Sequence, residues 1–296
     1  MSEDALVPGV NDPNLPFSVF NGDEYRFPVL VSVPHAGRRY PQEIHDNLAV
    51  PPASLIRLED RYADRLAAGA IASGFTTLVA QQPRAWIDLN RGHREIDSDM
   101  VTGIDRSQLP APSRKVRGGL GLVPRRLSGT GDLWRRKWSY DDVQQRVRHS
   151  HAPYHQSISH ILEQMREQYG SAILLDLHSM PPLSDEKLGD VDIVIGDRFG
   201  RSSGSRYAEL SLSFCTQSGL RGQLNHPYAG GYILERHGAP GRGIHALQLE
   251  IDRRCYLDEN LLEPGKNMSE MTSHVERLAG LLADQILDRF QLAAAE

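Results

Sequence analysis

Apolar residues in this chain cluster in short runs, several broken by a single polar residue, a rhythm that predicts buried strands. Residues 27–33 form the first run and end at Pro34 and His35. Further runs lie at 76–80, at 85–89 before Asn90, Arg91 and Gly92, at 172–175 before Asp176, Leu177, His178 and Ser179, and at 191–196 and 246–251. Between them the spacing turns helical. Leu55, Leu58, Tyr62, Leu66, Ala70 and Ile71 share one helical face over 54–73, with Ser54 as N-cap and Gly74 as the stop. Ser139 and Asp142 resemble a capping box that opens a pattern through Val143, Val147, Ile158, Ile161, Leu162 and Met165, and Pro153 should kink or split it. Helices are also expected over 205–218 and 269–292. Strands alternating with helices predict an α/β fold, a mixed, mostly parallel central sheet with helices on both faces.

Residues 1–26 are rich in Pro, Gly, Asn and Asp and read as a loop-like lead-in, which leaves 27–296 as a single catalytic α/β domain. The stretch 92–138 loses all periodicity, and an unstructured connection of that length is functional or mobile. With 33 basic and 38 acidic side chains in 296 residues the net charge is −5, and the basic residues are scattered. No nucleic-acid partner is indicated. The expected partner is a small molecule. Cys215 and Cys255 have no CxxC spacing, the acidic N-terminal residues do not resemble a signal peptide, and no run reaches the ~18 apolar residues of a membrane span. A cytoplasmic, non-membrane protein is the expectation.

Three polar residues at or near strand ends are not explained by core packing: His35, His178 and Glu250. In a parallel sheet such ends converge on one crevice. Two imidazoles and one carboxylate are the ligands of a catalytic zinc, which keeps its fourth position open. No HExxH motif is present, so spacing alone does not name the third ligand. Glu59 and Asp60 are candidates, with Asp60 preferred because the apolar stripe flanks it. Arg91, beside Asn90 and Asp88, offers a planar fork for a carboxylate. The segment Asn225 to Tyr232, with its paired Gly230 and Gly231, suggests a substrate loop with close backbone approach. His226, His237 and His245 read as surface or supporting groups, and His149, His151, His155 and His160 as packing or surface groups on the helical segment.

Ser32 to Gly37, Glu59-Asp60, Asp88 to Arg91, Asp176 to Pro181, Gly230 to Tyr232 and Gln248 to Ile251 together resemble the N-formylglutamate amidohydrolase family, over about residues 27–290. The resemblance implies a metal-dependent hydrolase that cleaves N-formyl-L-glutamate to formate and glutamate, late in histidine breakdown. More distantly the chain is similar to the zinc carboxypeptidases and aspartoacylase, which implies a phosphorylase/hydrolase-like, zinc carboxypeptidase-like fold. His178-Ser179 matches their later zinc ligand, residues 88–91 match their carboxylate-gripping segment, and Glu250 falls where their catalytic Glu lies. One feature departs: Arg38 stands where their His-x-x-Glu pair has Glu. The implied site is then a zinc ion, or another divalent metal, on His35, Asp60 and His178. Glu250 acts as the base, and Arg91 with Asn90 clamps the α-carboxylate of an N-acyl amino acid. Arg84, Arg94, Arg236 and Arg253 are unranked candidates for a second carboxylate. Another N-acyl amino acid deacylase, a carboxypeptidase-like hydrolase and a non-catalytic binding protein on the same scaffold are the alternatives.

Overall fold

The apolar runs become strands buried along their whole length: β2 (Val29–Val33), β3 (Thr76–Ala80), β4 (Ala172–Met180), β5 (Ile193–Gly196) and β7 (Ile244–Asp252). In the computed structural model, which describes residues 15–183 and 190–294, they join β1 (Phe17–Phe20) and β6 (Gly222–Leu224) in a seven-stranded sheet of order β1-β3-β2-β4-β7-β5-β6. The central β3, β2, β4 and β7 run parallel, β5 and β1 are antiparallel to their neighbours β7 and β3, and β6 is parallel to β5. The sheet is therefore mixed and mostly parallel.

Alternation along the strands sorts two faces. Val31, Val33, Leu175, Leu177, Leu247 and Leu249 pack with Tyr207 and Phe214 of α3 (Ser205–Gln217) and with Val275, Leu278 and Leu282 of α5 (Met268–Ala294). Leu30, Leu174 and Ala246 pack on the other face with Tyr154, Ile158 and Ile161 of α2 (Ala152–Tyr169) and with Ile233 and Leu234 of α4 (Tyr232–His237). Further along, that second face turns polar: Ser32 pairs in register with Asp176, Asp176 with Gln248, and His178 with Glu250. A patch of polar groups is thus built into the sheet at the C-terminal ends of parallel strands. None of the described helices is long and apolar enough to cross a membrane.

The structure differs from the sequence pattern in four places. The helix expected over 54–73 is broken: a 3-10 segment, Pro52–Leu58, is followed by an irregular step, and helix resumes at Ala63–Leu66 and Ala68–Ala72. Tyr62 takes a left-handed φ of 59° at the step, and Arg38, Arg61 and Arg65 crowd its ring at 4.8–4.9 Å. Residues 85–89 are turns, not a strand. Ala85, Ile87 and Leu89 are buried and Trp86 half-buried because the 92–138 stretch folds over them, Leu122 taking the Asp88 N–H on its carbonyl at 2.7 Å. Within the lead-in, residues 17–20 form β1 on the sheet edge, paired with β3; residues 1–14 of that stretch lie outside the described residues. Ser139 caps α1 (Tyr140–Arg146) in a capping box as expected, but the helix is not split at Pro153: it passes through a π-turn, Val147–His151, immediately before α2 and Pro153.

Candidate active site

His35 sits in the turn that ends β2, and the broken helix brings Asp60 to it: the Asp60 N–H donates to the His35 carbonyl at 3.0 Å. His178 projects from β4. The three side chains converge, with one ligand atom from each lying within 4.8 Å of the others. Asp60 Oδ2 is 2.8 Å from His178 Nδ1 and 3.4 Å from His35 Nδ1. Glu59 is placed otherwise, its carboxylate accepting from Tyr40 at 2.5 Å and Arg61 at 3.0 Å.

Each histidine is backed by a second carboxylate. His35 Nε2 donates to Asp88 Oδ1 at 2.8 Å, and His178 Nε2 to Asp176 Oδ2 at 2.9 Å. Those bonds fix the tautomers and turn each Nδ1 toward Asp60. Asp88 is itself held by Arg84 Nε at 2.8 Å, and Asp176 by Ser32, whose hydroxyl donates at 2.9 Å. Burial disfavours the Asp88 charge, but Arg84, His35 and Arg91 outweigh it and keep the carboxyl well below its ordinary range. Burial likewise opposes the Asp60 charge, and the hydrogen bonds and charges of His178 and His35 hold it lowered. His178 is the mirror case: burial works against its proton, yet Asp176 and Asp60 raise its pKa well above the ordinary value.

His35 Nδ1 is buried and has no hydrogen-bond partner. A buried nitrogen lone pair without a donor is costly unless a cation or water meets it. Two oriented imidazole nitrogens and a carboxylate oxygen make a donor set suited to Zn²⁺ or a similar divalent ion, so the residues present fit such a group.

Glu250, next to His178 across the sheet, is buried and accepts from Gln248 Nε2 at 2.8 Å. Burial pushes its pKa up to about 7, with Asp60 adding to the rise against the opposing histidine charges. Glu250 and the cluster face a pocket of about 500 Å³ that Asn90, Arg91, Gly230 and Gly231 also line. Arg91 is fixed by Nε donating to the Leu120 carbonyl at 2.9 Å and Nη1 to the Asn90 carbonyl at 2.6 Å, and Nη2 has no described protein partner. Asn90, expected to share the clamp, has its carboxamide engaged within the protein. Oδ1 accepts from the Ile233 N–H at 2.9 Å, and Nδ2 lies 3.2 Å from His178 Nε2. Gly231 permits that approach, since a Cβ there would lie 2.3 Å from Asn90 Oδ1; Gly230 has a φ of 114°.

Of the four arginines considered for a second carboxylate, Arg84 and Arg253 line the pocket, and Arg94 and Arg236 do not. Lys115, which the sequence did not single out, also lines it, as do Tyr228 of the substrate-loop segment and Gln248 of the family motif, to which no role was assigned. Gln248 carried a signal, two residues before Glu250 on the same strand face; Lys115 carried none. Three other histidines, His151, His155 and His237, form a support beneath Leu89 and Arg91. His151 Nε2 donates to the Arg91 carbonyl at 2.7 Å and His155 Nε2 to the Leu89 carbonyl at 2.9 Å, while His155 Nδ1 lies 2.9 Å from His237 Nε2. His237 is buried, not at the surface, and so is His245, whose Nδ1 accepts from the Gly204 N–H at 3.1 Å.

Carboxylate-backed histidines beside a glutamate made basic by burial, at the strand ends of a mixed sheet, place this chain among the hydrolase-type α/β enzymes. Comparison with known proteins narrows the class. The chain belongs to the N-formylglutamate amidohydrolase family, whose model matches residues 27–257. It is 31% identical over 239 residues to an N-formylglutamate deformylase of Pseudomonas putida, covering 79% of this chain and 83% of that one. With a Pseudomonas aeruginosa N-formylglutamate deformylase it shares 28% identity over 242 residues, covering 79% and 84%. The crystal structure of N-formylglutamate amidohydrolase from Ralstonia eutropha is similar with a TM-score of 0.83 at 28% identity, covering 92% of this chain and 98% of that one.

Proposed function

We propose that the protein hydrolyses the formyl amide of N-formyl-L-glutamate to formate and glutamate, with a divalent cation, Zn²⁺ in the first instance, held by His35, Asp60 and His178. The observation that carries the metal is the unpartnered, buried His35 Nδ1 facing Asp60. Family membership and the deformylase relatives support the substrate. When bound, such a cation supplies Lewis acidity, acidifying a water toward pH ~7 and polarising an amide carbonyl.

The chain's own residues do the rest. Asp88 and Asp176 take the Nε2 side of the two histidines, so Nδ1 is the atom of each ring that would meet a cation beside Asp60, His178 giving up its Nδ1 proton when the cation binds. Glu250 takes a proton from the attacking water and delivers it to the departing amine nitrogen. In that sequence a water O–H bond and the formyl C–N bond break, and a C–O and an N–H bond form. Arg91 grips the α-carboxylate through its free Nη2, Asn90 positions α4 through the Ile233 N–H, and Gly230 and Gly231 form the wall facing the substrate.

Formate release from metal-loaded protein, measured across a panel of N-formyl amino acids, tests the assignment. Glu250→Gln keeps the metal and loses on the order of 10²- to 10⁴-fold in kcat. Wild-type kcat/KM falls on the acid side with a limb at or below about pH 7, because the base must be ionised and a bound cation lowers its pKa. A metal-bearing Glu250→Gln protein with undiminished turnover refutes the role of Glu250.

A further inference from the structure

Six cationic side chains line the pocket: Arg57, Arg84, Arg91, Lys115, Arg198 and Arg253. Four of them are committed to protein partners. Arg84 donates to Asp88 at 2.8 Å, Arg198 pairs with Glu235 at 3.0 Å, Arg57 donates to Thr130 Oγ1 and the Ser128 carbonyl at 2.8 Å, and Arg253 donates to Ser179 Oγ at 3.2 Å and to the Glu59 carbonyl. Arg91 retains its Nη2, and the Lys115 ammonium has no hydrogen bond or ion pair among the described residues. Two cations therefore remain for substrate.

Lys115 is placed by a built scaffold. It lies on a short helical turn, Arg114–Arg117, capped by Ser113, whose hydroxyl accepts from the Val116 N–H at 3.3 Å and donates to Glu95 Oε2 at 3.0 Å. Glu95 ties that turn to the clamp, its Oε1 accepting from the Gly92 N–H at 2.9 Å and its carbonyl from the Leu122 N–H at 2.8 Å. Leu120 links the two cations directly: its N–H donates to the Lys115 carbonyl at 2.8 Å and its carbonyl accepts from Arg91 Nε at 2.9 Å. Desolvation at the pocket mouth, with the Arg91 and Arg84 charges, lowers the Lys115 pKa. An incoming carboxylate relieves that repulsion, and a lysine, a point charge on a flexible stem, can reach one that a rigid fork would miss.

We infer that Lys115 is the specificity residue for a second carboxylate, pairing with the side chain of an N-acylated acidic amino acid while Arg91 holds its α-carboxylate. This inference rests on the N-formylglutamate reading above. The test compares kcat/KM for N-formyl-L-glutamate and for its uncharged near-isostere N-formyl-L-glutamine, in metal-loaded wild type, Lys115→Met and Lys115→Arg, with thermal unfolding of each to confirm the fold. The glutamate-to-glutamine preference falls roughly 10- to 100-fold in Lys115→Met, as expected for one lost charge-assisted hydrogen bond, mostly through KM, and recovers in part in Lys115→Arg. An unchanged preference ratio overturns the role of Lys115 while leaving the proposed activity standing. Wild type that does not hydrolyse N-formylglutamate overturns both, and that outcome is read before any variant is made.

Discussion

Gly231→Ala isolates one close contact on which the site's geometry depends. The backbone at Gly231 has φ −101°, which alanine adopts freely, so the perturbation is the methyl group alone. That methyl would lie 2.3 Å from Asn90 Oδ1, 2.5 Å from Nδ2 and 2.6 Å from Cγ. The Asn90 carboxamide has to move, and it is buried. Overpacking of this kind costs about 1–3 kcal/mol, and stranding the Ile233 N–H that Asn90 Oδ1 now satisfies costs about 1–3 kcal/mol more, so the expected loss is about 2–6 kcal/mol. Urea unfolding measures it. Because Asn90 Nδ2 also touches His178 Nε2, the variant should bind Zn²⁺ more weakly and turn over more slowly. A cycle with Asn90→Ala sharpens the assignment: it removes the three atoms nearest the added methyl, and the double variant should be little worse than Asn90→Ala alone. A Gly231→Ala protein within about 0.5 kcal/mol of wild type, with normal activity, refutes the reasoning.

Asp60→Asn keeps the shape of the cluster but removes its anionic ligand; it should bind Zn²⁺ at least about 10-fold more weakly by isothermal titration and lose most activity, and chelation of wild type should abolish turnover reversibly. Wild-type-like metal affinity in that variant would move the third ligand elsewhere. His151 is held neutral, its pKa pushed down to about 4 chiefly by burial against an ordinary 6.5. Its contribution is therefore present above pH 6.5 and lost as pH falls toward 4, on the order of 3 kcal/mol at about 1.4 kcal/mol per pH unit. His151→Gln, which cannot titrate but can still donate toward the Arg91 carbonyl, should lose less stability than wild type between pH 7.5 and pH 4.5 in urea melts. Parallel losses in the two proteins would count against a buried neutral His151.

The strands were legible because burial on both faces demands long apolar runs, and β2, β4 and β7 stand out even where polar residues interrupt them. His35, His178 and Glu250 were legible as interruptions with no packing reason. The same criterion misled at residues 85–89, whose apolar side chains are buried by a loop and not by a sheet, since burial leaves one mark on a sequence whatever does the burying. The broken helix was hidden for a related reason: apolar spacing runs straight through Tyr62, and periodicity does not record a single left-handed residue.

By itself the sequence determined the α/β class, the strand ends where chemistry gathers and the family resemblance, because these depend on residue type and local order. The sequence preferred Asp60 over Glu59, and the tertiary structure turns Asp60 onto the two histidines and Glu59 onto Tyr40 and Arg61, since adjacent carboxylates differ in where the chain turns them and not in composition. The fold also decided that Asn90 braces the site, that His151 and His155 hold the clamp's carbonyls, and that Lys115 faces Arg91's pocket from a loop with no pattern of its own. Each of these depends on contacts between segments far apart in the chain, and such contacts leave no period for a sequence to display.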